Sequence, residues 1–173
     1  MKAVAVIAQI FLFVLLLVGA GCEPVTAESP SPTDSGSNLL AAYMSYAPVK
    51  IDIMPLTEFI RAGDAEEGAK IKVYVSLLDS FDCQKKMPGV FRFELYEKVP
   101  RSAEPKGKRI VIWPDIDLTD AVENNNYWRD FLRVYEFNLD FEPEGARSYI
   151  LQATCLTANG KRLSADFLLK HIE

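Results

Sequence analysis

The segment SYILQATCLTANGKRLSADFLLK, residues 148–170, decides the fold class. Apolar residues occupy every second position on both sides of Asn159-Gly160, which is the period of a β-strand with one buried face. An Asn-Gly pair between two such runs is a strong hairpin signal, because both central residues of a type I′ turn need positive φ. The segment therefore predicts an antiparallel hairpin with a type I′ turn. Its predicted buried residues are Tyr149, Leu151, Ala153 and Cys155, then Leu163, Ala165, Phe167 and Leu169.

The same alternation recurs upstream and predicts five more strands. Pro100, Pro105 and Gly107 mark the connection between two of them, and the absence of a long helical pattern between strands argues against parallel βαβ units. The predicted inward-facing residues are Val49, Ile51 and Ile53; Ile71, Val73, Val75 and Leu77; Phe91, Phe93 and Leu95; and Phe131, Tyr135, Phe137, Leu139 and Phe141. The remaining strand is a short β-branched run from Arg109 to Trp113, closed by Pro114.

Seven strands with one apolar face each predict an all-β domain over residues 48–173, folded as an antiparallel two-sheet sandwich. A closed β-barrel is the alternative. One short helix is predicted near 117–126, where Thr119 or Asp120 supplies the N-cap and Glu123 falls in the first turn.

The stretch PEGARSYILQATCLTANGKRLSADFLL, residues 143–169, resembles the last hairpin of immunoglobulin-like and transthyretin-like modules. In those modules a glycine-containing turn leads to a tyrosine at the start of a strand, and an Asn-Gly or Asp-Gly turn follows. The resemblance implies an immunoglobulin-like sandwich with Tyr149 as the corner tyrosine. Tyr149 departs from the pattern because it lies six residues before Cys155 instead of two.

Residues 1–21 have the three parts of a secretory signal: a positive start at Lys2, an uncharged apolar run over 3–18, and small residues before Cys22. The apolar run is shorter than the ~20 residues that span a bilayer. It is followed by Glu23, where a permanent anchor usually has a positive cluster. We therefore predict a removable signal peptide over 1–21, with a permanent transmembrane anchor as the alternative.

The sequence LVGAGC, residues 17–22, resembles the lipobox of bacterial lipoproteins, with Cys22 in the last place and Gly19 where leucine is most common. In that family the cysteine thiol receives a diacylglyceryl group, signal peptidase II cuts before the cysteine, and the new amino terminus is acylated, for example with palmitate. The resemblance implies a lipid-anchored protein of the bacterial cell envelope, at the outer membrane and facing the periplasm. Ordinary secretion, with Cys22 as a leftover thiol, is the alternative.

The segment 23–38, EPVTAESPSPTDSGSN, is rich in Pro, Ser, Thr, Gly and acids. It has no apolar periodicity and cannot recover its ordering entropy, so it is predicted to be a disordered tether. Residues 39–46 are apolar enough to form a helical turn or to lie on the domain. The predicted organisation is a signal peptide over 1–21, a lipidated cysteine with its tether over 22–47, and the sandwich over 48–173.

The segment 113–128 concentrates oxygen ligands beside aromatic rings, a pattern that suits a calcium site or a carbohydrate platform. It lacks the glycine and the terminal glutamate of an EF-hand loop, and carboxylates near a helix start complement the helix dipole. A structural role, with the tryptophans as core anchors, is the favoured interpretation. The residues concerned are Trp113, Asp115, Asp117, Asp120, Glu123, Asn124, Asn125, Asn126, Tyr127 and Trp128.

Cys83 and Cys155 remain after lipidation, and an exported protein can pair them in a disulfide. Their separation is close to that of the inter-sheet bridge of immunoglobulin domains. However, Cys83 lies in a polar run that is typical of a loop, whereas Cys155 alternates onto an apolar face and suits a small buried thiol. Two free thiols are the favoured interpretation, and the bridge is the alternative.

The formal net charge is −5 and no basic field covers the domain, which argues against nucleic acid as a partner. The single histidine, His171, argues against Ser-His-Asp chemistry and against His-rich metal sites. A glycosidase-like carboxylate pair depends on a side-chain separation that sequence does not reveal. We interpret Lys85, Lys86, Lys98, Arg101, Lys106, Lys108 and Arg109 as solvated loop charges.

Together these patterns predict a non-catalytic binding or scaffolding domain without cofactor or metal. Its predicted partners are the membrane, through the lipid on Cys22, and another envelope protein or polymer. The alternative function is a carbohydrate- or calcium-binding envelope domain that uses residues 113–128.

Overall fold

The computed structural model describes residues 43–61, 68–143 and 147–171. The chain divides into two compact units, Met1–Asn38 and Leu39–Glu173, and every described residue belongs to the second unit. The predicted signal peptide, Cys22 and the predicted tether lie outside the described residues. Within the described part of the chain, no helix is long and apolar enough to cross a membrane.

Short antiparallel strands account for most of the described residues. In chain order they are β1 (Lys50–Ile53), β2 (Glu58–Arg61), β3 (Ala69–Leu78), β4 (Gln84–Lys85), β5 (Gly89–Lys98), β6 (Lys106–Ile112), β7 (Ile116–Asp117), helix α1 (Ala121–Tyr127), β8 (Trp128–Arg129), β9 (Val134–Asp140), β10 (Ser148–Thr157) and β11 (Arg162–Lys170). They form two sheets packed as a sandwich, which confirms the predicted all-β architecture.

The first sheet has the strand order β1-β3-β9-β8, and the second has the order β11-β10-β5-β6. In the first sheet, β2 also pairs with β3 at the end away from β1, and β4 pairs with the last two residues of β3. In the second sheet, β7 pairs with the start of β5, beyond the end of β6. All of these pairings are antiparallel.

The core lies between the sheets and consists of the residues that the period of two assigned to the inner faces. Aromatic rings fill its centre: the ring centroids of Phe93 and Phe137 are 4.7 Å apart, and those of Phe91 and Phe137 are 5.1 Å apart. The buried side chains include Ile51, Ile53, Ile71, Val73, Val75, Leu77, Phe91, Phe93, Leu95, Leu118, Tyr135, Phe137, Leu139, Tyr149, Leu151, Ala153, Cys155, Leu163 and Leu169.

The strand prediction was incomplete and in two places wrong; one of these is Val49, which lies before β1 and is 43% exposed although it was predicted to face the core. The sequence pattern missed β2, β4, β7 and β8, which have two to four residues and are too short for a period of two to be visible. It also placed Phe131 on the inner face of a strand, yet Phe131 is 95% exposed. The chain turns there, because Arg133 adopts a φ of 55° and β9 begins only at Val134.

The hairpin joining β10 and β11 was predicted correctly, but its turn is not of type I′. Gly160 has a φ of 78°, whereas Asn159 is not among the described residues with positive φ. The Gly160 N–H donates to the Thr157 carbonyl at 2.8 Å, and the Thr157 N–H donates to the Lys161 carbonyl at 2.9 Å. This pattern is a three-residue loop that ends in a left-handed glycine. The Asn159 side chain accepts from the Lys161 N–H at 3.2 Å and stabilises the wider loop.

The predicted helix begins later than expected, at Ala121. Asp120 is its N-cap, since its Oδ1 accepts from the N–H groups of Val122 and Glu123 at 2.9 and 3.0 Å. The segment before it is held as strand β7 by pairing with β5, which delays the helix. At the other end of the described residues, 43–45 form a helical turn, and Ala47 is buried on the domain.

Candidate functional site

The two tryptophans of the predicted site are half-buried and pack against the core. The Trp113 Nε1–H donates to the Asp140 carbonyl at 3.0 Å. The Trp128 ring lies edge-on to Tyr135, and its Nε1–H donates to Asp130 at 2.7 Å. Each indole therefore packs against the core and donates its N–H to an oxygen of the protein, which supports the interpretation of both tryptophans as core anchors.

The carboxylates of the same segment are engaged with protein groups. Asp115 accepts two hydrogen bonds from the Arg92 guanidinium, both at 2.7 Å, and this pairing lowers the pKa of Asp115. Asp117 accepts from the hydroxyl and the N–H of Thr119, which lower the pKa of Asp117, and Asp120 caps helix α1. Among the described residues, no group of three or more His, Cys, Asp or Glu could hold a metal ion. The geometry does not bring residues 113–128 together as a calcium site.

The asparagines that follow divide between the core and the surface. Asn124 is buried, and its Nδ2 donates to the carbonyls of Leu118 and Met87 at 2.9 and 3.1 Å. Asn125 is exposed and accepts from the Lys86 ammonium. Tyr127 packs on Phe137, with the ring centroids 5.3 Å apart. These contacts explain the composition of the segment as local structure.

Cys83 and Cys155 are free thiols in this structure, so the alternative of a disulfide is wrong. Cys83 lies exposed in the turn between β3 and β4 of the first sheet. Cys155 faces the core from the second sheet, where burial raises its pKa to about 12. The two residues occupy opposite sides of the first sheet, which explains why they do not pair.

Several basic residues that we interpreted as loop charges lie on strands and form ion pairs. Lys85 on β4 is 2.9 Å from Asp79, and on β6 Lys106 is 2.7 Å from Asp166 and Arg109 is 2.7 Å from Glu94. Lys108 also belongs to β6. The loop interpretation was wrong for these four residues and for Lys98, the last residue of β5, because the pattern missed β4 and placed the start of β6 too late.

A concave surface that combines charged and apolar groups is a groove of about 570 Å³ on the outer side of the first sheet. We call it the β3 groove. Its walls come from four segments that are distant in sequence: the end of β1 and the turn after it, the outer face of β3, the β3–β4 turn with β4, and the β8–β9 turn. The lining residues are Asp52, Met54, Pro55, Ser76, Leu78, Asp82, Cys83, Gln84, Lys85 and Arg133.

Asp79 organises the β3–β4 wall of the groove. Only 3% of this residue is exposed, and its Oδ1 accepts from the N–H groups of Phe81 and Cys83, both at 2.9 Å. Its Oδ2 pairs with the Lys85 ammonium, and this contact lowers the pKa of Asp79. The result is a tight turn in which Asp82 has a φ of 57° and Phe81 projects with 78% of its surface exposed.

Another wall of the groove is the β8–β9 turn, and β9 pairs with the same edge of β3 as β4 does. The Arg133 N–H donates to the Arg129 carbonyl at 2.8 Å, which closes the turn over residues 130–132. The Arg129 Nε lies 3.3 Å from the Glu136 Oε2, so an ion pair holds the Arg129 side chain. Arg133 lines the groove, and Phe131 stands at the exposed tip of the same turn. Two turns that line one groove therefore each present an exposed phenylalanine.

Sequence reasoning missed this groove because its residues span positions 52 to 133 and only strand pairing unites them. One signal was available: Phe81 and Phe131 both lie in short polar runs, SFDCQ and RDFLR, and do not continue an alternating pattern well. An isolated aromatic residue in a polar turn is typical of an exposed contact residue.

No protein-family model, no curated protein and no solved structure matches this chain. The geometry of the described residues therefore carries the functional argument.

Proposed function

We propose that this protein is a lipid-anchored cell-envelope protein whose β-sandwich is a non-catalytic binding module. The observation that carries the binding role is the exposure of Phe131 and Phe81, 95% and 78%, on two turns that line the β3 groove. Aromatic residues are enriched at the centres of protein interfaces, and they contribute most when a partner covers them. Single exposed apolar residues are ordinary on a surface, whereas two beside one groove favour a contact surface.

The anchoring role rests on the sequence at residues 17–38. The LVGAGC stretch resembles a lipobox, and the Pro- and Ser-rich segment after Cys22 suits a tether. Such a tether carries a domain up to about 50 Å from a bilayer when it is extended, at about 3.3 Å per residue. We place the protein at the outer membrane, facing the periplasm.

The strand order supports an immunoglobulin-like type for the module. Immunoglobulin constant-type domains pack an A-B-E-D sheet against a G-F-C sheet, and variable-type domains add C′ beside C. Here β1-β3-β9-β8 faces β11-β10-β5-β6, and this is the same order if the strands are matched along the chain. Modules of this architecture commonly bind through their loops, which agrees with exposed aromatics on turns.

The carbohydrate- or calcium-binding alternative at residues 113–128 has less support. Its indoles are half-buried with satisfied N–H groups, and three of its four carboxylates are bonded to protein donors.

The anchor is tested by expressing the full chain in a bacterial host that is fed radiolabelled palmitate. We expect label in the wild-type protein and an N-terminus at Cys22 by mass spectrometry. Cys22→Ser should remove the label and the membrane partitioning. Cys83→Ser is the matched control, because its thiol is exposed but belongs to the folded domain. Label that persists in Cys22→Ser, or an unprocessed unlabelled chain in the envelope, would contradict the anchor.

The binding role is tested in the same cells with a photo-crosslinking amino acid at position 81, with and without Phe131→Ala. We expect a discrete adduct at position 81 that weakens strongly in Phe131→Ala. A photo-crosslinker at the exposed position 108, on the second sheet, is the control and should give no such adduct. Equal adducts at 81 and 108 would argue against a binding surface at the groove.

A further inference from the structure

One polar group of the β3 groove is the hydroxyl of Ser76. Ser76 lies on the outer face of β3, since its neighbours Val75 and Leu77 face the core, and it lines the groove with only 3% of its surface exposed. Its hydroxyl makes no hydrogen bond with the described residues, in contrast to Thr154 on the second sheet, which is bonded to Ser164 at 2.9 Å. No buried side-chain nitrogen or oxygen of the described residues lacks a hydrogen-bond partner, so the Ser76 oxygen reaches solvent in the groove and is available to a ligand there.

One cation and one anion of the groove have no charged partner within the part of the chain that the structure describes. Neither the Arg133 guanidinium nor the Asp52 carboxylate forms an ion pair or a side-chain hydrogen bond with the described residues. The other charged residues of the groove form ion pairs. Lys85 pairs with Asp79 at 2.9 Å, and Asp82 pairs more loosely with Lys50 at 3.9 Å. Opposite charges left apart on two walls of one groove form a complementary pattern for a ligand that carries both signs.

Between these charges the groove is apolar. Met54 and Pro55 from the turn after β1 and Leu78 from β3 line it, and the turns that carry the exposed Phe81 and Phe131 supply other lining residues. Arg133 and Asp82, in two of the turns that line the groove, both have positive φ, so each turn is held in a conformation that costs energy for a non-glycine residue. These turns place the charged groups around an apolar floor.

We propose that the β3 groove binds an extended polypeptide segment of a partner protein. An acidic side chain of the segment pairs with Arg133, and a basic side chain pairs with Asp52. An apolar side chain between them packs on Met54 and Leu78, and a main-chain group of the segment hydrogen-bonds the Ser76 hydroxyl. This deepens the proposed function, on which it rests, by giving the chemistry of the partner. A polypeptide fits better than a glycan, because a neutral sugar leaves both charges unpaired.

The test is selection of peptides from a phage-displayed library of random sequences of about 12 residues, which extend to ~40 Å at ~3.3 Å per residue. The target is the full chain purified from the membranes of a bacterial host in non-ionic detergent. Selected peptides are then synthesised, and their binding is measured by the fluorescence of a dye attached to Cys83. The dye reports from within the groove, because Cys83 lines it and is exposed.

We expect the selected peptides to share an acidic and a basic residue on either side of an apolar one. Arg133→Glu and Asp52→Lys should each weaken binding about tenfold or more, as charge pairs at interfaces do. Binding to Arg133→Glu should recover when the acidic residue of the peptide is replaced by lysine. This recovery separates direct pairing from a folding defect. The control reversals Lys108→Glu and Glu97→Lys, at exposed positions on the second sheet, should leave binding within about twofold.

Ser76→Ala should weaken peptide binding while preserving the thermal unfolding midpoint, because the hydroxyl makes no hydrogen bond with the described residues. If Phe131→Ala weakens peptide binding but Arg133→Glu and Asp52→Lys do not, the proposed charge pairing is wrong. The proposed binding function would still stand. If the photo-crosslinked adduct is a glycan or a lipid, the proposal that the groove binds a polypeptide is wrong. Failure of both the crosslinking and the selection would remove the proposed function as well.

Discussion

The Tyr135 hydroxyl lies 3.1 Å from Oδ1 of Asn124, and this contact joins helix α1 to strand β9 inside the core. The same hydroxyl donates to the Met87 carbonyl at 2.8 Å and accepts from the Met87 N–H at 2.9 Å. Asn124 completes the network through the Leu118 carbonyl. The Tyr135 hydroxyl thus hydrogen-bonds the backbone of Met87, just before β5, and the side chain of Asn124 within α1.

Tyr135→Phe should destabilise the domain, because it leaves the buried Met87 N–H and one side of Asn124 without a partner. We expect a loss of about 1–3 kcal/mol in the free energy of unfolding, measured in urea. The matched control is Tyr43→Phe, which removes a hydroxyl from a residue that is 44% exposed and should change the free energy by less than about 0.5 kcal/mol. Equal effects of the two variants would show that the network contributes nothing.

Trp113 and Phe131 make a second matched pair, since one ring is half-buried and the other projects into solvent. Trp113→Ala should cost about 2 kcal/mol, less than the about 3–5 kcal/mol of a fully buried tryptophan. Phe131→Ala should change stability by less than about 0.5 kcal/mol, although it removes a larger exposed surface. Chemical unfolding monitored by circular dichroism compares them. A large loss in Phe131→Ala would mean that the ring packs in the domain and does not serve binding.

The Asp79 carboxylate predicts a pH dependence of stability. Lys85 lowers its pKa in the folded protein below the ordinary value of 3.8, so the folded state favours the ionised form. Its contribution is therefore complete above about pH 4 and is lost as the pH falls through the folded pKa. Asp79→Asn should lower the thermal midpoint at pH 7, and the difference from wild type should shrink below pH 3.8.

The control for this titration is Asp82→Asn in the same turn. Asp82 is exposed and only 3.9 Å from Lys50, and asparagine tolerates its φ of 57° well. We expect little change in the midpoint at any pH. A pH profile for Asp79→Asn that runs parallel to wild type down to pH 2 would assign the turn's stability to other groups.

The two thiols of the domain should differ sharply in reactivity. Burial raises the pKa of Cys155 to about 12, whereas Cys83 is exposed. In Cys22→Ser protein, iodoacetamide at pH 8 should modify one thiol in the folded state and two in urea, as counted by intact mass. Adding Cys83→Ser should remove the fast modification. Two fast modifications, or none in urea, would contradict the assignment of free and buried thiols.

The inner faces of the long strands were predictable because strand alternation is local. Successive side chains of a strand point to opposite faces, so Val73 and Val75 face the core and Lys72 and Tyr74 do not. This alternation in β3 is predictable without knowing which strands pair with it. The N-cap at Asp120 was predictable for a similar reason, since it depends on the next three residues. Phe131 was misplaced because its distance of four residues from Tyr135 fits a strand, whereas the left-handed Arg133 between them turns the chain before β9 begins at Val134.

What the sequence by itself determined is therefore the β-sandwich class and which face of each long strand is buried, because both follow from residues two positions apart. Only the tertiary structure decided the β3 groove. Asp52, Ser76 and Arg133 are brought together by antiparallel pairing of β1 with β3 and of β3 with β9. Whether a charge is paired or free depends on such neighbours across strands. No local pattern distinguishes Lys85, which is bound to Asp79, from Arg133, which faces the groove without a partner among the described residues.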